Sequence, residues 1–235
     1  MKILVINGSP RGEYSNTMAL THAFLEGAGW PEAEILCAAG AEIKGCLGCF
    51  HCWSETPGQC AIDDDMAFIL PKLIAADVII WSFPLYYFSV PGQLKNLIDR
   101  QLPLSLPEMT AGAQSGDHPF RYDLSHQRHV LISTCGYWTS KGNYNAITAM
   151  FDRILGESDY TSLFCGQGGL FPLANMDPVP GLEELKQRVE EYLETVQRAG
   201  REFVEGKVSA KTTTKLAEPL LPQDVYEQAS NAAFG

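Results

Sequence analysis

Four cysteines stand in the spacing Cys46-x2-Cys49-x2-Cys52-x7-Cys60. Thiolates two residues apart in a tight loop can turn onto one [4Fe–4S] cubane, and a fourth after the Pro57-Gly58 turn completes four-cysteine ligation. Zinc also takes four thiolates, but usually from two separated Cys-x2-Cys knuckles, so the unbroken triplet suits it less. Four reduced thiols, zinc or a disulfide remain the alternatives to a cluster. A second group with chemistry in it is Asn7-Gly-Ser-Pro-Arg-Gly-Glu-Tyr-Ser-Asn-Thr17, which follows the apolar run Ile3–Ile6. Ser9, Arg11, Ser15, Asn16 and Thr17 place hydroxyls, an amide and a guanidinium where a helix starts. The first amides of a helix lack internal partners and carry the positive end of its dipole, so the segment reads as a phosphate cradle.

The cradle also excludes ligands. Gly8 and Gly12 do not make G-x-G-x-x-G, no ribose-binding acid follows at Ala38-Ala39, and G-K-[ST] is absent, so dinucleotide and P-loop nucleotide sites are poorly supported. A compact hydroxyl-rich loop suits one terminal phosphomonoester, such as that of FMN. The alternative is a βα turn with Ser/Asn capping and no ligand. A third group, Pro84-Leu85-Tyr86-Tyr87-Phe88, offers aromatic surface and backbone polar groups, which a flat tricyclic ring needs. A fourth, Thr134-Cys135-Gly136-Tyr137, and the run Cys165-Gly-Gln-Gly-Gly169 stand at two further strand ends; the latter lets backbone approach a ligand or partner closely.

These groups need a scaffold that brings loops to one edge. Strands are expected near Lys2–Ile6, Glu34–Ala38, Asp77–Trp81, His129–Ser133 and Tyr160–Cys165. Helices are expected near Asn16–Ala28, from Asp63-Asp64-Asp65 to Ala75, Gly92–Arg100, Asn143–Leu155, and from Pro180 to Glu205. Alternation of this kind predicts an α/β fold: a doubly wound five-stranded parallel sheet, order 2-1-3-4-5, with helices on both faces and ligands at the carboxyl ends of the strands. Residues 1–206 are expected to form that domain. Residues 207–235 form a C-terminal extension, expected to pack on the surface or on a neighbouring subunit, with disorder as the alternative. Residues 102–128, with Pro103, Pro107, Gly112, Gly116 and Pro119, are long enough to be a lid or binding loop, and Arg121, Tyr122 and Asp123 are its candidates for contact with a flavin.

Lys2-Ile-Leu-Val-Ile-Asn-Gly-Ser-Pro-Arg11 with Ser15-Asn16-Thr17, Asp64-Asp65-Met66, Pro84-Leu-Tyr86, Leu94-Lys95 and Asp99-Arg100 resembles the NADPH-dependent FMN reductase family, over roughly residues 1–205. The cysteine spacing resembles that of the iron–sulfur flavoproteins, relatives that carry a [4Fe–4S] cluster near FMN. The resemblance implies a flavodoxin-like fold and FMN reduced by NAD(P)H in homodimers or homotetramers. It assigns Ser9, Arg11, Ser15, Asn16 and Thr17 to the phosphate, and Pro84–Phe88 and Thr134–Tyr137 to the two sides of the ring. Electrons would pass to a small acceptor such as a quinone or flavin, through a cluster on Cys46, Cys49, Cys52 and Cys60 if one is bound. The hydride step requires no protein acid or base, and none of the five histidines has ligand or relay spacing.

Composition narrows the partners. A formal charge of −11 argues against nucleic acid and anionic membranes. No apolar run approaches membrane-spanning length, and Met1-Lys2 leads straight into a strand, so a cytoplasmic protein with reduced thiols is expected. The acidic surface equally suits a non-enzymatic, flavodoxin-like electron carrier that docks on redox partners. NAD(P)H oxidation with a small acceptor separates the two.

Overall fold

The run Val78-Ile-Ile-Trp81 has no polar alternation, and it is buried on both faces, as a central parallel strand must be. The computed structural model describes residues 1–110, 117–157 and 159–234. Its strands are β1 (Ile3–Asn7), β2 (Glu34–Cys37), β3 (Val78–Pro84), β4 (Arg128–Thr134) and β5 (Tyr160–Cys165), all parallel in the order β2-β1-β3-β4-β5. Helices α1 (Asn16–Ala28), α2 (Met66–Ala75), α3 (Gly92–Asp99), α4 (Asn145–Leu155) and α5 (Glu183–Val204) cover it. Leu4, Ile6, Trp81 and Phe83 pack against α2, α3 and α4 on one face. Val5, Ile80, Val130 and Ile132 pack against α1 and α5 on the other. The expected flavodoxin-like architecture is therefore present.

Three local differences have physical causes. β3 runs on to Pro84 because its ladder with β4 continues to Pro84–Thr134, and a proline is tolerated at a strand end, where no further donor is needed. The acids Asp63–Asp65 precede α2 instead of opening it. Asp64 Oδ1 does accept the Met66 amide at 3.1 Å, but its carboxylate is turned inward onto Arg100, and Asp65 Oδ2 accepts the Glu42 amide at 2.7 Å. The acids thus tie the segment after β2 to α2.

The connection after α3 folds back on itself. Ser105 pairs with Phe120 and Thr110 with Asp117, while Gly112 and Gly116 lie outside the described residues. Arg121 donates through Nε to Pro103 O (3.2 Å) and through Nη2 to Ser105 O (3.4 Å). A Cβ added at Gly58 would stand 3.1 Å from Arg121 Cδ and 3.2 Å from the Tyr122 hydroxyl. Arg121 and Tyr122 therefore buttress the cysteine loop. Tyr122 and Asp123 also line a separate cavity of about 380 Å³ beside Trp81 and His129. Arg121, Tyr122 and Asp123 do not line the cleft at the carboxyl ends of the strands.

Beyond α5 the chain forms α6 (Ala210–Leu216) and α7 (Gln223–Phe234). Val208, Leu216 and Leu220 join the α1/α5 side of the core, and the Tyr192 hydroxyl donates to Leu216 O at 2.9 Å.

Candidate functional site

Parallel register brings the chemical groups to one edge. Asn7 pairs with Ser82 across β1 and β3, and Pro84, Thr134 and Cys165 stand side by side at the ends of β3, β4 and β5. The loops leaving these ends enclose a cleft of about 540 Å³, within the range of small-molecule sites. Ser9, Arg11, Ser15, Asn16 and Thr17 line one wall, and Pro84, Leu85, Tyr86, Thr134, Cys135 and Gly136 line others. The structure thus gathers eleven of the fourteen residues singled out for this pocket.

The first wall is built by local hydrogen bonds. Asn7 Oδ1 accepts the Ser9 amide (3.0 Å), Ser9 Oγ accepts the Arg11 amide (3.2 Å), and Ser9 O accepts the Gly12 amide (3.1 Å). Ser15 Oγ caps α1 by accepting the Met18 amide at 3.2 Å. The Asn16 and Thr17 amides, with no preceding helical carbonyls to bond, open the helix at the cleft. Thr17 Oγ1 lies 2.6 Å from Thr134 Oγ1, joining the first and third loops. Two hydroxyls sharing one bond keep one proton free to donate to an anion. The wall is preformed and donor-rich, with Arg11 as its fixed charge.

Tyr87, Phe88 and Tyr137 lie outside the lining. The Tyr86 amide donates to Ser89 O (2.9 Å) and the Ser89 amide to Tyr86 O (3.0 Å), closing a tight turn. Its central residues, Tyr87 and Phe88, have φ of 48° and 63°. Those left-handed conformations normally favour glycine or asparagine, and here they turn both aromatics outward. Tyr87 is 97% exposed, while Phe88 stacks on Tyr137 with centroids 5.5 Å apart. Strain of this kind, on the order of 1–3 kcal/mol per residue, concentrates at functional rims.

Gly168 and Gly169 line the cleft as well. Their only signal in the sequence is the glycine-rich end of β5. A Cβ at Gly168 would stand 2.8 Å from Thr134 Cβ, so only glycine allows the loops to meet. The preceding Gln167 is buried with φ 54°. Its Nε2 donates to Leu221 O and its Oε1 accepts the Leu221 amide, both at 2.9 Å. Trp138 Nε1 donates to the same carbonyl at 2.9 Å, and the Tyr226 hydroxyl donates to Gly136 O at 2.8 Å. The C-terminal segment is thereby clamped behind two cleft loops. Gln167→Ala removes both amide contacts to Leu221, and limited proteolysis of residues 217–223 is expected to accelerate roughly tenfold, for about 1.4 kcal/mol of lost local stability. An unchanged rate would show that the clamp does not hold the segment.

Titration in the cleft is muted. Burial pushes the Cys135 thiol up, and burial takes Cys165 behind it up to about 12. Both stay neutral thiols near neutral pH, so neither is an activated nucleophile.

The four clustered cysteines lie elsewhere, in the loop between β2 and α2. Cys46, Cys49, Cys52 and Cys60 all line one small pocket, together with Leu47, Phe50 and Arg100. All four are free thiols. Burial, and then the proximity of Cys60, Cys46 and Cys49, push the Cys52 thiol up. Trp53, in tilted ring contact with Phe50 and His118 at centroid distances of 5.1 and 4.8 Å, pins the loop to the long connection. Among the described residues, no three His, Cys, Asp or Glu side chains are grouped to hold a metal ion.

The profile of a family described as NADPH-dependent FMN reductase matches residues 1–147. An iron–sulfur flavoprotein of Methanocaldococcus jannaschii is 40% identical over 110 residues, covering 45% of this chain and 54% of that protein. An iron–sulfur flavoprotein of Archaeoglobus fulgidus is 41% identical over 102 residues, 43% of this chain and 48% of that protein. The chain therefore spans about half the length of these curated relatives. Among solved structures, an FMN-dependent NADH-azoreductase from Bacillus anthracis, in complex with FMN, superposes with a TM-score of 0.57 at 19% identity, covering 86% of this chain and 99% of that one. That likeness is one of fold.

Proposed function

The chain belongs to the NADPH-dependent FMN reductase family, and we propose that it binds FMN in the cleft and passes electrons from NAD(P)H to a small acceptor, a quinone or flavin. The carrying observation is the meeting of the Ser9–Thr17 cradle with the Pro84–Tyr86 and Thr134–Gly136 loops in one cleft. Bound FMN would supply the hydride-accepting ring. Arg11, the Ser9 hydroxyl and the Asn16 and Thr17 amides would hold its phosphate, and the Thr17–Thr134 pair has one proton to donate. Pro84, Leu85 and Tyr86 would flank one side of the ring and Thr134, Cys135 and Gly136 the other. Phe88 and Tyr137, stacked at the rim, would restrict water from that side.

The cysteine pocket fits a [4Fe–4S] cluster better than zinc. Zinc usually takes thiolates from two separated Cys-x2-Cys knuckles, whereas Cys46, Cys49 and Cys52 form an unbroken triplet that shares one pocket with Cys60. Cysteines on a cubane each bind a different iron. The similarity to two iron–sulfur flavoproteins supports this reading. Residues 1–206 would form the flavin domain and 207–235 its extension. The outward aromatics Tyr87 and Phe88 suit burial by a second copy in a homodimer or homotetramer, and seven free cysteines suit a reducing cytoplasm.

Anaerobically purified protein is expected to show flavin absorbance, about four irons per chain, and NAD(P)H oxidation when a quinone or free flavin is supplied. Flavin binding without NAD(P)H oxidation would instead identify an electron carrier.

A further inference from the structure

Two side chains of α3, and a third just past its end, hold the start of the cysteine loop. Gln93 Nε2 donates to Ala41 O (3.1 Å) and Ile43 O (3.3 Å), and Asn96 Nδ2 donates to Ile43 O (3.3 Å). Arg100, one residue past the helix, closes the neck of the loop. Its Nη1 donates to Lys44 O (2.8 Å) and Asp64 Oδ2 (2.7 Å), and its Nη2 to Asp64 Oδ1 (2.9 Å). Asp64 Oδ2 also accepts the Lys44 amide at 3.0 Å. The residue before the loop and the residue after it are thus joined through one guanidinium and one carboxylate. Both side chains are out of solvent, 1% and 0% exposed.

The Arg100 valences do not all close on this clasp. Nε is buried and meets no acceptor. Arg100 lines the same pocket as Cys46, Cys49, Cys52 and Cys60. A buried N–H without an acceptor is costly, and a cluster ligated by four thiolates is anionic, so the two needs are complementary. We propose that Arg100 is a positioning and tuning residue for the cysteine site: it closes the loop through Lys44 and Asp64, and gives its Nε–H to a cysteine sulfur of the pocket in the cluster-loaded protein. The inference rests on the cluster reading above. A cation and an N–H···S bond both favour the more negatively charged, reduced cluster, so Arg100 raises the reduction potential.

The test is an anaerobic redox titration of the holoprotein, with iron content and flavin binding measured on the same samples. Arg100→Gln is expected to lower the cluster potential, by about 59 mV for a tenfold change in the one-electron equilibrium. Asp64→Asn, which removes the clasp's negative charge and leaves Arg100 in place, is expected to raise it. Opposite shifts separate tuning from general loosening, which would move both variants the same way. The inference is overturned if wild type and either variant hold about four irons and titrate at one potential, or if the two variants shift together. If Arg100→Gln does not fold, Asp64→Asn alone decides by the sign of its shift. Wild-type protein that holds no iron but binds FMN would instead defeat the cluster reading itself, a result the iron assay identifies before any titration.

Discussion

Asp64→Ala is expected to destabilise the protein by about 3–5 kcal/mol, because it leaves the Arg100 guanidinium charged and unpaired in the interior. The pair is enclosed, and its fork-to-carboxylate bonds are the bidentate kind that water cannot replace once the partner is gone. Against a total stability of roughly 5–15 kcal/mol, a loss of that size consumes much of the margin. Replacing both residues by apolar side chains of similar volume should recover most of it, since the attraction of a buried pair is largely offset by its desolvation. The pH dependence has a defined sign. Burial pushes the Asp64 carboxyl up, but the Arg100 hydrogen bonds, the Lys44 and Met66 amides and the Arg100 charge outweigh it and hold the group below its ordinary value of 3.8. A carboxylate with a depressed folded-state pKa stabilises fully above its unfolded value, and that contribution is lost as the pH falls through the folded one. The stability gap between wild type and Asp64→Ala, measured by urea unfolding, should therefore be constant near neutrality and narrow only below 3.8. A gap that narrows on the alkaline side would show that another group is responsible.

The same pair shows where the sequence was readable and where it was not. Asp63-Asp64-Asp65 marks the start of a helix by its charge, and α2 does begin at Met66. That Asp64 turns back to Arg100, thirty-six residues on, leaves no trace in any local window. The strands were legible because β-branched runs such as Val78-Ile-Ile-Trp81 have one way to be buried on both faces, and α1 because Ser15 and Gly29 cap it at both ends. The cleft wall from Ser9 to Thr17 was legible for the same reason: its geometry is made by hydrogen bonds between near neighbours. The aromatic loop was half legible. Composition marks Tyr86, Tyr87 and Phe88 alike, but backbone φ decides which faces the cleft, and positive φ at two bulky residues is not a sequence signal. The docking of the connection after α3 was not legible because length alone suggests a lid, whereas its His118, Arg121 and Tyr122 pack on Trp53 and Gly58 of a different loop.

Gly200→Ala is expected to lower both stability and FMN affinity, although alanine is the better helix former by about 0.8–1.0 kcal/mol. A Cβ at Gly200 of α5 would fall 2.2 Å from Phe24 O and 2.8 Å from the Ala28 nitrogen of α1. The reciprocal Cβ at Gly27 of α1 would fall 1.9 Å from Gln197 O. These are backbone atoms inside helices, so no rotamer change relieves the overlap and one helix must move. Overpacking ordinarily costs about 1–3 kcal/mol; contacts this short place the effect at the upper end, well above the propensity gain. A net loss of about 2 kcal/mol lowers Tm by roughly 4–8 °C in a chain of this size. The functional consequence follows from which helix moves. α1 carries Asn16 and Thr17 at its cleft end, and Thr17 and Thr21 are fastened to Thr134 (2.6 Å) and Ser82 (2.7 Å) at the strand ends. Displacing α1 from α5 strains those two hydroxyl bonds and misaligns the amides proposed to hold the phosphate. The apo-protein Tm and the FMN Kd, the latter read by quenching of flavin fluorescence, should both worsen, the Kd by about tenfold if one aligned donor, worth about 1.4 kcal/mol, is lost. Gly27→Ala, on the opposite helix at the same crossing, should reproduce both effects. A variant that loses stability but binds FMN with wild-type affinity would show that the cradle is set by its own local hydrogen bonds and not by the α1–α5 contact.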